Sequence, residues 1–127
     1  WSDKNINLNI DLDEITIFYD EGLFMQVWQN LISNAVKFTD EGGEINILLK
    51  KYDDEAVFTI KDNGIGMNDE VKSRIFDKFY QGDASHAKEG NGLGLALVKK
   101  ILDISHCNVE VDSKEGEGTT FTVHIPI

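Results

Sequence analysis

Cysteine is almost missing from this chain. Cys107 is the only one among 127 residues, so an internal disulfide and a thiolate metal cluster are both excluded, and a reducing compartment is the natural setting. Positive charge is scarce as well: 12 lysines and arginines stand against 23 acidic residues, Arg74 is the single arginine, and the net charge is −11. A nucleic-acid binder needs a cationic field to release counterions, and an anionic bilayer surface asks for the same, so neither a duplex nor a membrane surface is expected as a partner. The same field repels a nucleotide. Any phosphate site must therefore be assembled locally, from backbone N–H groups, a few lysines, Arg74 and a metal ion. No apolar run approaches the roughly 20 residues of a membrane span, and no signal peptide opens the chain. It starts on Trp1 rather than methionine, so a piece of a longer protein is expected.

Several familiar motifs are missing too. There is no G-x-x-x-x-G-K-[ST] run. Gly90-Asn91-Gly92-Leu93-Gly94 has the wrong glycine spacing for a dinucleotide turn, and Ser85 to Glu89 before it reads as no strand. His86, His106 and His124 lie far apart without ligand spacing, which leaves a zinc site or a Ser/His/Asp triad without support. None of the three sits in a phospho-acceptor context.

What is present suits one globular domain: 41% hydrophobic and 28% charged residues, with no repeat, low-complexity tract or dividing linker. Asn5 to Ile10 alternates weakly and Glu14 to Tyr19 reads as a strand. Phe24, Val27, Trp28, Leu31, Ile32, Ala35 and Val36 follow the helical i, i+3, i+4, i+7 rule, with Asp20 as a cap and Thr39 to Gly43 as the closing turn. Glu44 to Lys51 and Ala56 to Asp62 read as a hairpin. A short helix is expected from about Asn68 to Phe79, a polar loop from Gln81 to Asn91, and a second long helix from near Gly92, burying Leu95, Val98, Ile101 and Leu102. Strands at Asn108 to Asp112 and Thr119 to Ile125 finish the chain. The expected fold is an α/β (α+β) two-layer sandwich, a mixed and largely antiparallel sheet covered on one face by about three helices.

Three segments carry candidate chemistry. Asn30, Asn34 and Lys37 form a polar stripe on the first helix, expected opposite its apolar face. It reads either as an ordinary solvated face or as two amide oxygens and an ammonium for a hydrated Mg²⁺ and a phosphate. Asp62-Asn63-Gly64-Ile65-Gly66-Met67 follows a strand directly. Its glycines permit positive φ and a close approach of ligand to backbone, and Asp62 could accept from an exocyclic amine; the alternative is a plain turn with a solvated aspartate. Gly90, Gly92 and Gly94 open an apolar helix whose exposed N–H groups would cradle phosphate. Phe76, Phe79 and Tyr80 read as core residues bordering the polar loop.

Taken in order, these segments resemble the catalytic domain of sensor histidine kinases, within the wider gyrase, heat-shock chaperone, histidine kinase and mismatch-repair ATPase superfamily. Residues 30–39 look like its N box, 62–67 the first glycine box, 74–80 the F box, 90–98 the second glycine box and 116–121 the third. The match covers nearly the whole chain. The resemblance implies a Bergerat-type fold that binds Mg²⁺ and ATP, with a lid at about 81–91. It implies Asn34 and Asn30 as metal ligands and Lys37 on the triphosphate. It implies Asp62 on the adenine amine with Thr119 nearby through water, and Phe38 packed on the base. Gly64, Ile65, Gly66, Met67 and Phe79 would line the pocket, and Gly90, Gly92, Leu93, Gly94 and Leu95 would hold phosphates. Gln81 stands where the family often has Arg, so Lys37, Arg74, Lys78 or Lys88 would meet the transferring phosphoryl.

Relatives that hydrolyse ATP carry a water-activating Glu one turn before the metal Asn. Asn30 occupies that position and cannot act as a base. The resemblance therefore implies a nucleophile from elsewhere: a histidine on an upstream dimerisation domain, with a response regulator receiver domain next in line and the whole catalytic portion in the cytoplasm. A serine kinase of the same superfamily and a non-catalytic nucleotide-binding module are the competing expectations.

Overall fold

Strand alternation and one long amphipathic helix organise the molecule, as seen in a computed structural model that describes residues 5–15, 19–77 and 94–127. The elements run β1 (Asn7–Leu12), α1 (Glu21–Phe38), β2 (Glu44–Lys51), β3 (Glu55–Asp62), α2 (Asp69–Arg74), α3 (Gly94–Ile104), β4 (Asn108–Lys114) and β5 (Gly118–Pro126). The five strands form one sheet in the order β1-β2-β3-β5-β4. Only β1 and β2 are parallel; the other three pairs are antiparallel. The mixed, largely antiparallel sheet with three helices is as expected.

The Asp20 carboxylate accepts from the Leu23 N–H at 3.0 Å and caps α1. An Ncap acceptor there satisfies an N–H left orphaned by the first turn. Phe24, Val27, Leu31 and Ala35 are then buried, and Trp28 packs on Phe58 with ring centroids 4.6 Å apart. Registered neighbours on the sheet share this face: Ile47 with Ile60, Ile60 with Phe121, Phe58 with Val123. Val98, Ile101 and Leu102 of α3 close the core.

Some boundaries differ from expectation. The helix expected over 68–79 is only Asp69–Arg74, followed by a turn in which Asp77 N donates to Arg74 O at 2.9 Å; residues 78 and 79 lie outside the described residues. None of α2 is buried; the core contact in this stretch comes just after it, where Phe76 meets Phe121 edge-on at 6.2 Å. Of the strand expected over 14–19, residues 14 and 15 are not extended into a ladder and 16–18 lie outside the described residues. The β1 edge strand instead runs to Leu12. Leu8, Ile10 and Leu12 share parity with Ile45, Ile47 and Leu49 yet stay exposed, Ile10 and Leu12 at 56% each. Among the described residues, no helix is long and apolar enough to cross a membrane.

Candidate functional site

Asp62 ends β3 on the helix-covered face, and alternation decides this: Ala56, Phe58 and Ile60 precede it at the same parity, all buried. It is 4% exposed, so the reading of a solvated aspartate is corrected. Its Oδ1 accepts from Gly64 N at 2.9 Å, and the β3–β5 register sets Thr119 directly opposite. Burial pushes its carboxyl above the ordinary aspartate range, opposed by hydrogen bonds from the backbone of Gly64 and Thr119. A carboxylate held by N–H groups in a dry place, with lone pairs to spare, is suited to accept from one more donor.

The neighbouring glycines hold chain segments against one another. A Cβ on Gly64 would collide with the Phe38 carbonyl, one on Gly66 with the Lys114 carbonyl, and one on Gly118 with the Asp62 carbonyl. Gly66 and Gly118 also need positive φ, at +68° and +106°. The close approach seen here is between chain segments. Ile65, whose N–H donates to Phe38 O at 3.2 Å and whose carbonyl accepts from Gly116 N at 2.7 Å, stitches α1, this turn and the β4–β5 turn together. Ile65 and Met67 are half-buried.

The sequence reading passed over Ser113. Its Oγ accepts from Met67 N at 2.8 Å, donates to Gly118 O at 2.9 Å and lies 2.8 Å from Thr119 Oγ1. The signal was available: Val109, Val111 and Ser113 share one parity of β4, and a polar residue at an inward position asks for partners.

Asn30, Asn34 and Lys37 are each half-buried on α1. At about 100° per residue Asn34 falls only about 20° from Val27, so the stripe borders the buried face instead of lying opposite it. This is a correction, and Asn30 of the stripe faces the start of α3. The Asn30 Nδ2 donates to Gln26 O at 2.7 Å, which leaves Oδ1 as its presented atom. A Cβ on Gly94, the first residue of α3, would come 2.8 Å from that oxygen, so the Asn30 side chain lies directly against the start of α3. Lys37 Nζ sits 5.3 Å from the Phe38 ring centroid, close enough for cation and ring to attract. No group of three His, Cys, Asp or Glu among the described residues could hold a metal. A hard cation at this seam would rest on amide oxygens and a ligand's own oxygens, which suits Mg²⁺.

Other candidates fall apart from this pair of clusters or outside the described residues. Arg74 is exposed and its Nε meets Asp77 Oδ2 at 3.2 Å. Leu95 packs partly on the core beside Gly94. Lys78, Phe79, Gln81, Lys88, Gly90, Gly92, Leu93 and the lid expected at about 81–91 all lie outside the described residues. Cys107 is buried, and burial pushes its thiol up, which makes it a core residue and no nucleophile. His124 stands between Glu55 at 3.0 Å and Glu110 at 3.3 Å, in a strand and away from Asp62.

Residues 19–127 match the family model described as histidine kinase-, DNA gyrase B- and HSP90-like ATPase. The heme sensor protein HssS of Staphylococcus saprophyticus is 38% identical over 96% of this chain, which spans 26% of that protein. The circadian input-output histidine kinase CikA of Thermosynechococcus vestitus is 46% identical over 80% of this chain and 14% of its own length. This chain thus spans about a quarter or less of these curated relatives. Among solved structures, the catalytic domain of histidine kinase ThkA in a nucleotide-free form superposes with a TM-score of 0.82 at 27% identity, covering 96% of this chain and 80% of that one.

Proposed function

This chain belongs to the histidine kinase-, DNA gyrase B- and HSP90-like ATPase family, its fold and family being those of sensor histidine kinase catalytic domains, and we propose that it binds Mg·ATP and presents the γ-phosphoryl group to a histidine on a separate dimerisation domain. The observation that carries the reading is Asn30. It sits at the seam of α1 and α3 with its amide nitrogen bonded to Gln26 O, where a hydrolytic relative would hold a carboxylate. An amide activates neither water nor a side chain.

In this reading Asp62 accepts from the adenine amine, with Thr119 beside it, and Phe38 packs on the base. Asn34 and Asn30 offer oxygens to the cation, Lys37 meets the triphosphate, and Gly90 to Leu95 cradle the phosphates. When bound, Mg²⁺ neutralises charge developing on the phosphoryl oxygens. The imidazole nitrogen of the acceptor attacks phosphorus in line, the bond to the bridging oxygen breaks, and ADP leaves as phosphohistidine forms. A response regulator receiver domain takes the phosphoryl group next, and the domain works in the cytoplasm.

Incubation with γ-labelled ATP tests this. The chain alone should bind ATP yet stay unlabelled and release no phosphate, because the positioned nucleophile, worth up to about 7–11 kcal/mol of barrier, belongs to another domain. A supplied histidine-bearing helical domain should acquire acid-labile phosphate. Rapid phosphate release by the chain alone, or stable labelling of its own side chains, would overturn the reading.

A further inference from the structure

Ser113 belongs to none of the glycine segments, yet its hydroxyl joins two of them. It is 9% exposed, and Thr119 across the β4–β5 ladder is 7% exposed. Met67 N, Gly118 O and Thr119 Oγ1 all lie within 2.9 Å of its Oγ. A hydroxyl has one proton and two lone pairs. With the proton on the Gly118 carbonyl and one lone pair taken by the Met67 N–H, the second lone pair takes the Thr119 proton. The opposite polarity would set two lone pairs against each other at Gly118 O.

We propose that Ser113 is the positioning residue that fixes the place and polarity of the Thr119 hydroxyl, and so sets which base the site accepts beside Asp62. With its proton committed to Ser113, Thr119 Oγ1 offers only lone pairs, as does the Asp62 carboxylate opposite it in β3. Two acceptors side by side welcome an exocyclic amine and repel a ring carbonyl. The same serine ties the turn after β3, through Met67, to the start of β5, so that both acceptors keep one spacing. This inference rests on the reading of Asp62 as the base-binding end.

The test measures ATP and ITP affinity by calorimetry on the 127-residue chain; ATP bears an amine at position 6 and a bare N1, ITP a carbonyl at position 6 and a proton on N1. Ser113→Ala should lower the ATP-to-ITP affinity ratio about tenfold, the worth of one well-placed hydrogen bond. Ser113→Thr, which keeps the hydroxyl, should retain the ratio. If Ser113→Ala fails to give a native thermal transition, Thr119→Val breaks the same contact from the other strand and should lower the ratio likewise. A ratio unchanged in the Ala and Val variants, with equal losses for both nucleotides, would overturn the role of Ser113. Asp62→Asn separates the two readings. If it collapses the ratio while Ser113→Ala does not, the Asp62 reading stands and the Ser113 inference falls; if it leaves the ratio intact, both fall.

Discussion

At the Asp62 end, three glycine backbones lie against the carbonyls of Phe38, Lys114 and Asp62, and Ile65, Met67 and Ser113 bind the segments to one another. At the Asn34 end, a half-buried helix stripe borders the core, and its Asn30 lies beside Gly94 at the start of α3. The first end is assembled by backbone packing and cannot change without moving three chain segments. The second consists of side chains on a helix that would form without them. Stability and binding should therefore be inseparable at one end and separable at the other.

The largest effect should come from Gly118→Ala, which combines a φ of +106° with a collision at the Asp62 carbonyl. Strain and overpacking together should cost roughly 3 kcal/mol or more in denaturant unfolding. Gly42→Ala is the control, with a φ of +80° and nothing within 4 Å; it should cost only the conformational strain of about 1–2 kcal/mol. Equal costs at the two positions would erase the contrast.

Asp62→Asn comes next. It should weaken ATP by about 1.5–3 kcal/mol, the worth of a charge-assisted hydrogen bond, and leave GTP nearly unchanged; equal small losses for both would remove Asp62 from the adenine pocket. Acidity sharpens the same test. Burial raises the Asp62 carboxyl, so on acidification it takes up its proton at a higher pH than an ordinary aspartate would. The protonated form is the poorer acceptor, so ATP affinity should fall with pH through that raised value, and Asp62→Asn should flatten the profile. A profile that bends only in the ordinary aspartate range would contradict a dry carboxyl.

The smallest effect is expected for Asn34→Ala, which should remove the Mg²⁺-dependent part of ATP affinity, about 1–2 kcal/mol for a lost ligand oxygen, with little change in melting temperature. A collapse of melting temperature would make this end structural as well, and the comparison would fail.

Much of this was written locally in the sequence. The i, i+3, i+4 spacing of Phe24, Val27, Leu31 and Ala35 and the Asp20 cap specify α1 without any partner, and alternation specifies β2, β3 and β5, because burial on one face of a regular element has a fixed period. The motif segments also told which residue types to watch. The place of the polar stripe was legible too, since about 100° per residue sets Asn34 about 20° from Val27; two things were decided only by tertiary contact. Gly64, Gly66 and Gly118 lie backbone against backbone, a packing that no local pattern announces. Ser113 met Met67 and Thr119 only when β4 folded beside β5 and the first glycine turn closed over both. A single hydroxyl in the sequence carries no sign of its partners, because hydrogen bonds join groups by distance in space, and the chain brings Met67 and Ser113 together only through the sheet.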